Sequence, residues 1–173
     1  RAPPPRAWPD MVPAAPLVSR SAFGRIAGAL YALVIVVGIV SVGRIEAFLD
    51  PGGDAASTVD AVTQHAGQLR WALLGEWLMY AMVIALAVSL FVVLRHVDRN
   101  LALLATAWRV TEAIVGATFA TLATALPLHL AVTSDGDSGR GALVTLLIEA
   151  NPVARDAVLL FMGFGALLFF VLF

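Results

Sequence analysis

Charged side chains fall along this chain so that four long apolar stretches lie between them. No charge interrupts the sequence from Ile26 to Val42, which Arg25 and Arg44 bracket. At 1.5 Å per helical residue that stretch covers ~25 Å, and adding Phe23 and Gly43 brings it near the ~30 Å hydrocarbon core of a bilayer. A second stretch, Leu69 to Leu94, carries Glu76 and Ser89 in its interior, with Trp71 and Trp77 near its start, where indole rings favour the membrane interface. The third, Leu101 to Leu130, holds Arg109 and Glu112 inside it and Pro127 near its end. The fourth, from Val153, is apolar and aromatic to Phe173. The pattern predicts an all-α transmembrane helical bundle with about four membrane spans, at residues 23–43, 69–94, 101–130 and 153–173 of a single domain at 21–173.

The connecting segments carry the polar residues. Residues 1–20 contain Pro3, Pro4, Pro5, Pro9, Pro13 and Pro16 among arginines, which predicts a disordered, solvated tail. That tail has neither the apolar stretch nor the small-residue cleavage site of a secretory leader. Pro51-Gly52-Gly53 predicts a turn, and Val59, Val62, Ala66 and Leu69 beyond it recur at helical spacing, as in a surface helix feeding the second span. Arg95, His96, Asp98 and Arg99 form a short polar turn, and Thr133 to Arg140 a loop. Gly141 to Ala150 is apolar but too short to span, so an interfacial position is expected. Asn151-Pro152 then has the chemistry of a helix start. The last stretch meets no polar flank at Phe173, so the sequence reads as part of a longer chain.

Composition sharpens this picture. Hydrophobic residues make up 60% of the chain and charged residues 13%, with a mean hydropathy of +0.89. Soluble domains carry about 25% charged residues, so this chain has too little polar surface to coat a globule in water. It has no cysteine, which excludes disulfides and thiolate metal sites, and its 11 basic residues are all arginine. A net charge of −1 gives no reason to expect a nucleic-acid partner. Six arginines (Arg1, Arg6, Arg20, Arg25, Arg95, Arg99) fall on one side of the predicted bundle and four (Arg44, Arg70, Arg140, Arg155) on the other. The positive-inside rule then places the N-terminus in the cytoplasm of a multi-pass inner-membrane protein.

Three charges fall inside predicted spans: Glu76, Arg109 and Glu112. Each costs several kcal/mol in a bilayer, so each calls for a partner or a task. Measured inward from the ends of two antiparallel helices, all three come within about one or two turns of the midplane. Arg109 and Glu112, three apart, share a face. One reading is a buried site for a proton, ion or polar ligand, with Arg109 balanced between two carboxylates. A second, favoured because nothing else polar converges on the cluster, is an ion pair that locks the second and third spans together, and a third keeps Glu76 neutral by desolvation. Gly24 and Gly28 lie on one helix face and suit close helix packing. His129 reads as interfacial, and His65 and His96 as solvated. Gly163 and Gly165 read as packing positions. No catalytic constellation, metal-ligand set or cofactor motif is visible, so no enzyme activity and no particular cofactor is expected.

Gly24-Arg25-Ile26-Ala27-Gly28-Ala29-Leu30-Tyr31 resembles the first-helix signature of a prokaryotic integral-membrane family, domain of unknown function 4386. The similarity continues through Gly52-Gly53-Asp54-Ala55-Ala56, the helix around Glu76, and Arg95-His96-Val97-Asp98-Arg99-Asn100. It is clearest where Leu101-Ala102-Leu103-Leu104-Ala105 leads into Trp108-Arg109-Val110-Thr111-Glu112. The resemblance implies a bacterial membrane bundle, of roughly six helices in the family, and no established activity. The expected role is a structural or accessory subunit, embedded in lipid and packed against other membrane proteins or itself. The alternative is a small transporter or sensor built on the buried charges.

Overall fold

Hydrocarbon offers a backbone no hydrogen-bond partner, so an apolar stretch crossing it must satisfy its amides and carbonyls within the helix. A computed structural model describes residues 20–49, 55–133 and 137–173, and among these every regular element is helical. The elements are α1 (Arg20–Leu49), α2 (Ala55–Gln64), α3 (Ala66–Leu94), α4 (Arg99–Phe119), a π-helical segment (Ala120–Ala125), α5 (Leu126–Thr133) and α6 (Asp137–Leu172). Four stretches are long and apolar enough to cross a membrane: Ser21–Leu49, Ala66–Leu94, Arg99–Thr133 and Gly139–Leu172. The chain is a membrane protein with an all-α bundle fold. The tail expected at 1–20 lies, except for Arg20, outside the described residues, as does the Pro51-Gly52-Gly53 turn.

Asp98 starts α4 sharply, its side chain accepting from the amides of Asn100 (2.9 Å) and Leu101 (3.0 Å). α3 and α4 therefore run antiparallel through the short turn that the polar residues there predict. α1 packs along α3, where a Cβ on Gly38 would come 2.8 Å from Met79 Sδ and one on Gly75 would come 2.2 Å from Ser41 Oγ. Among the described residues no helix of this chain closes on Gly24 or Gly28, a Cβ on either meeting nothing within 4 Å. The α1–α3 contact that requires small residues lies nearer the other end of α1.

The fourth span departs most from expectation. α6 runs without a break from Asp137 to Leu172, with Pro152 inside it, so 141–150 is no separate interfacial segment and Asn151 caps nothing. Val144 and Leu147 are fully buried with Ile45, Val62, Leu69 and Leu128. That tertiary packing carries the helix through a dipeptide whose local preference is to begin one, and membrane helices tolerate proline where neighbours satisfy the freed backbone. Apolar clusters thus close both ends of the bundle. The Ile45–Leu69–Leu147 cluster seals one, and Leu94, Ala102, Ala105, Phe169 and Leu172 seal the other. The polar side chains lie between them.

Candidate functional site

Two polar layers occupy that interval. In the first, Arg109 Nη1 donates to Glu112 Oε2 at 2.6 Å, one turn along α4, with side chains only 11% and 4% exposed. Gly165 of α6 faces this pair, and a Cβ there would come 2.7 Å from Arg109 Cδ and 3.2 Å from Trp108 Cδ1. Its missing side chain lets α4 and α6 close up. Trp108 Nε1 donates to the Phe161 carbonyl at 2.8 Å, and its ring packs against Phe161 and Phe164 at centroid distances of 5.5 and 5.6 Å. Gly163, by contrast, faces open space. Charge, indole and aromatic rings make this layer a sealed clamp between α4 and α6.

The second layer is built around Glu76 on α3. The Tyr80 hydroxyl, one turn on, donates to Glu76 Oε1 over a long 3.5 Å. Tyr80 is buried against Gly116, where a Cβ would stand 2.2 Å from its ring. From the facing helices come Thr124 and Asn151, with Asn151 Nδ2 donating to Thr124 Oγ1 at 2.6 Å. Arg155 Nε donates to Asn151 Oδ1 at 3.0 Å, and Arg155 Nη1 is paired with Glu46 Oε1 of α1. Glu76, Tyr80, Thr124, Asn151 and Arg155 border a cavity of about 20 Å³, room for a single water.

Both helices opposite Glu76 lose their regular hydrogen bonding at this level. In the π segment the Leu126 amide bonds the Thr121 carbonyl, one residue beyond the α-helical partner. Such widened turns recur at functional sites. Thr106, Thr111, Thr118, Thr121 and Thr133 all turn their hydroxyls back onto their own helix, whereas the Thr124 hydroxyl accepts from α6. On α6, Pro152 has no amide to offer the Ile148 carbonyl. A carboxyl group, a phenol, a hydroxyl, an amide and a guanidinium thus converge where the backbone is least regular. This set can bind and pass a proton or hold a small polar molecule.

The structure joins two members of the expected triad and sets the third apart. Tyr80 packs on Gly116, and in antiparallel helices that register puts Arg109 level with position 87 of α3, ~16 Å along the axis from Glu76. The cation that borders the cavity with Glu76 is Arg155 and not Arg109. Counting depths inward across a slab of ~30 Å brought the three charges too close together, because α3 has 29 residues and is ~44 Å long. Sequence reasoning also missed Tyr80, Thr124, Asn151, Arg155 and Glu46. The spacing of Glu76 to Tyr80 and of Asn151 to Arg155, each i to i+4, was the signal available, since it puts two polar groups on one face of an apolar helix. His129 is exposed, and no group of three or more metal-ligating side chains occurs among the described residues.

Comparison with curated proteins and with solved structures gave no match. The profile of one family, described as Domain of unknown function (DUF4386), matches residues 26–173, from within α1 to beyond the end of α6, and so includes both polar layers. This bundle, with its sealed clamp and its polar cavity, belongs to the DUF4386 family.

Proposed function

We propose that the chain is a small membrane transporter or sensor that binds a proton, carried with water, at Glu76. The observation that carries this reading is the setting of that carboxyl group. Among the described residues Glu76 has no ion pair, yet it borders a water-sized, partly open cavity between the helices of an apolar bundle. A membrane-embedded acid so placed exchanges protons at lower cost than one locked to a cation. With the N-terminal end of α1 in the cytoplasm, as the arginine distribution favours, the cavity falls in the outer half of a bacterial inner membrane. The role is binding, and it includes no catalytic step.

Infrared difference spectroscopy of the reconstituted protein, between acid and alkaline buffer, tests this. A protonated-carboxyl band is expected in the native chain and in an Arg109→Leu/Glu112→Leu variant, and its loss is expected in Glu76→Gln. A band that survives Glu76→Gln overturns the assignment. Proton flux into vesicles that depends on Glu76 makes the protein a transporter, and binding without flux makes it a sensor.

The rival role, an accessory subunit packed against other membrane proteins or a second copy, is supported by the outward face of α6. There Leu159, Leu160, Phe164 and Leu167 border an open apolar groove at Gly163. Native-gel separation after gentle extraction, followed by mass spectrometry, tests it, with a stoichiometric partner as the supporting result.

A further inference from the structure

We propose that Arg155 is a latch between α1 and α6 beside the Glu76 cavity, held by Glu46 and released when Glu76 is ionised. This rests on Glu76 being the proton site. Arg155 borders the cavity and is held at two points of different firmness. Its Nε is anchored to Asn151 on its own helix at 3.0 Å, while its tip reaches across to Glu46 of α1. The side chains are unequally placed, Arg155 being 24% and Glu46 61% exposed. The outer partner is therefore the one that hydration can replace at little cost.

The two helices that this ion pair joins do most of their packing on other helices and share one apolar cluster, at Ile45, Leu49, Val144 and Leu147. α1 lies on α3 and α2, and α6 lies on α4, α5, the π segment and α2. Letting go of Glu46 thus loosens α6 from α1 at this level, while the cluster of Ile45, Leu49, Val144 and Leu147 still joins them. The groups facing Arg155 are few: Glu46 from α1, Glu76 and Tyr80 from α3, Thr124 from the π segment and Asn151 from α6, with Glu112 of α4 acting in turn on Tyr80. Two carboxyl groups therefore compete for one guanidinium. A neutral Glu76 leaves Arg155 on Glu46 and the α1–α6 link in place. An ionised Glu76 draws the guanidinium inward, and the α1–α6 link parts. Proton occupancy and release of the latch are then one equilibrium, as linkage requires.

The chain has no cysteine, so spin labels on Ala47→Cys and Val153→Cys report the α1–α6 distance in an otherwise native protein. Both positions are exposed. In vesicles the distance distribution is expected to be narrow in acid and to broaden and lengthen in alkaline buffer. Adding Glu76→Gln is expected to keep it narrow in both, and Glu46→Gln to broaden it in both. Exchanging the charges, Glu46→Arg with Arg155→Glu, is expected to restore the narrow form of the acid state. A distribution that Glu46→Gln leaves unchanged overturns the latch. The Glu76 carboxyl band on the same labelled protein separates the two failures. A band present with an unmoved distance overturns the latch alone, and an absent band overturns the proton site and the latch together.

Discussion

At the Arg109 level, a guanidinium and a carboxylate stand one turn apart on the same helix and close on each other at 2.6 Å. At the Glu76 level the guanidinium that shares the cavity with the carboxyl group belongs to a different helix and is already held by Asn151 and Glu46. The chemical groups are the same and the topology of their pairing is not. A pair within one helix keeps its geometry however the helices shift, so it behaves as a single neutral unit that α6 can be packed against. A pair divided among α1, α3 and α6 holds only in one arrangement of those helices. In a medium of low dielectric constant, where each charge interacts strongly with whatever is near, the divided set is the one that responds.

The sharpest way to break this comparison is to open the sealed pair. Arg109→Leu leaves Glu112 buried without its cation, and losing one partner of a buried ion pair costs about 3–5 kcal/mol. Removing both, as Arg109→Leu/Glu112→Leu, is expected to recover most of that loss, because two well-packed leucines substitute for a unit that was already neutral. Unfolding in mixed micelles, followed by tryptophan fluorescence, measures both variants. A double variant as unstable as the single one contradicts the idea of a self-contained pair.

Gly165→Ala comes next in size. The added methyl group would stand 2.7 Å from Arg109 Cδ and 3.2 Å from Trp108 Cδ1, in a layer without slack. Overpacking of this kind costs about 1–3 kcal/mol. Gly24→Ala and Gly28→Ala meet nothing within 4 Å and are expected to be neutral or to stabilise their helix by up to ~1 kcal/mol. The same unfolding measurement ranks the three. A loss at Gly24 equal to that at Gly165 points to a partner covering the outer face of α1.

The contrast between these glycines also marks what the sequence can reveal. Long runs without charge fix the number and class of the spans, since composition alone decides whether a helix is viable in lipid. The Arg109–Glu112 pair was legible for a related reason, because partners three residues apart on one helix need no knowledge of the fold. The Glu76 cavity was not legible, because its walls come from α3, α4, the π segment and α6, and the register among them is set by where Tyr80 meets Gly116. Nor do propensities reveal a π turn or a helix that continues through Asn151-Pro152. Burial of Val144 and Leu147 in a cluster shared with α1, α2, α3 and α5 decides the latter, and that cluster exists only in the folded bundle.

The smallest expected effect on stability separates the two layers most clearly. Glu76→Gln keeps the shape of the side chain, removes its ionisation, and disturbs only a Tyr80 contact of 3.5 Å, at the outer limit of a hydrogen bond. Even the interhelical hydrogen bonds of membrane proteins average only about 0.6 kcal/mol, so losing this longer contact within α3 is expected to change the unfolding free energy by less than ~1 kcal/mol. Glu112→Gln makes the same chemical change and leaves Arg109 as a buried cation with a neutral partner, so its cost is expected to approach that of Arg109→Leu. Similar losses at the two positions indicate that both carboxyl groups serve packing. A small loss at Glu76 together with a vanished carboxyl band indicates a group retained for its proton, in a bundle that stands without it.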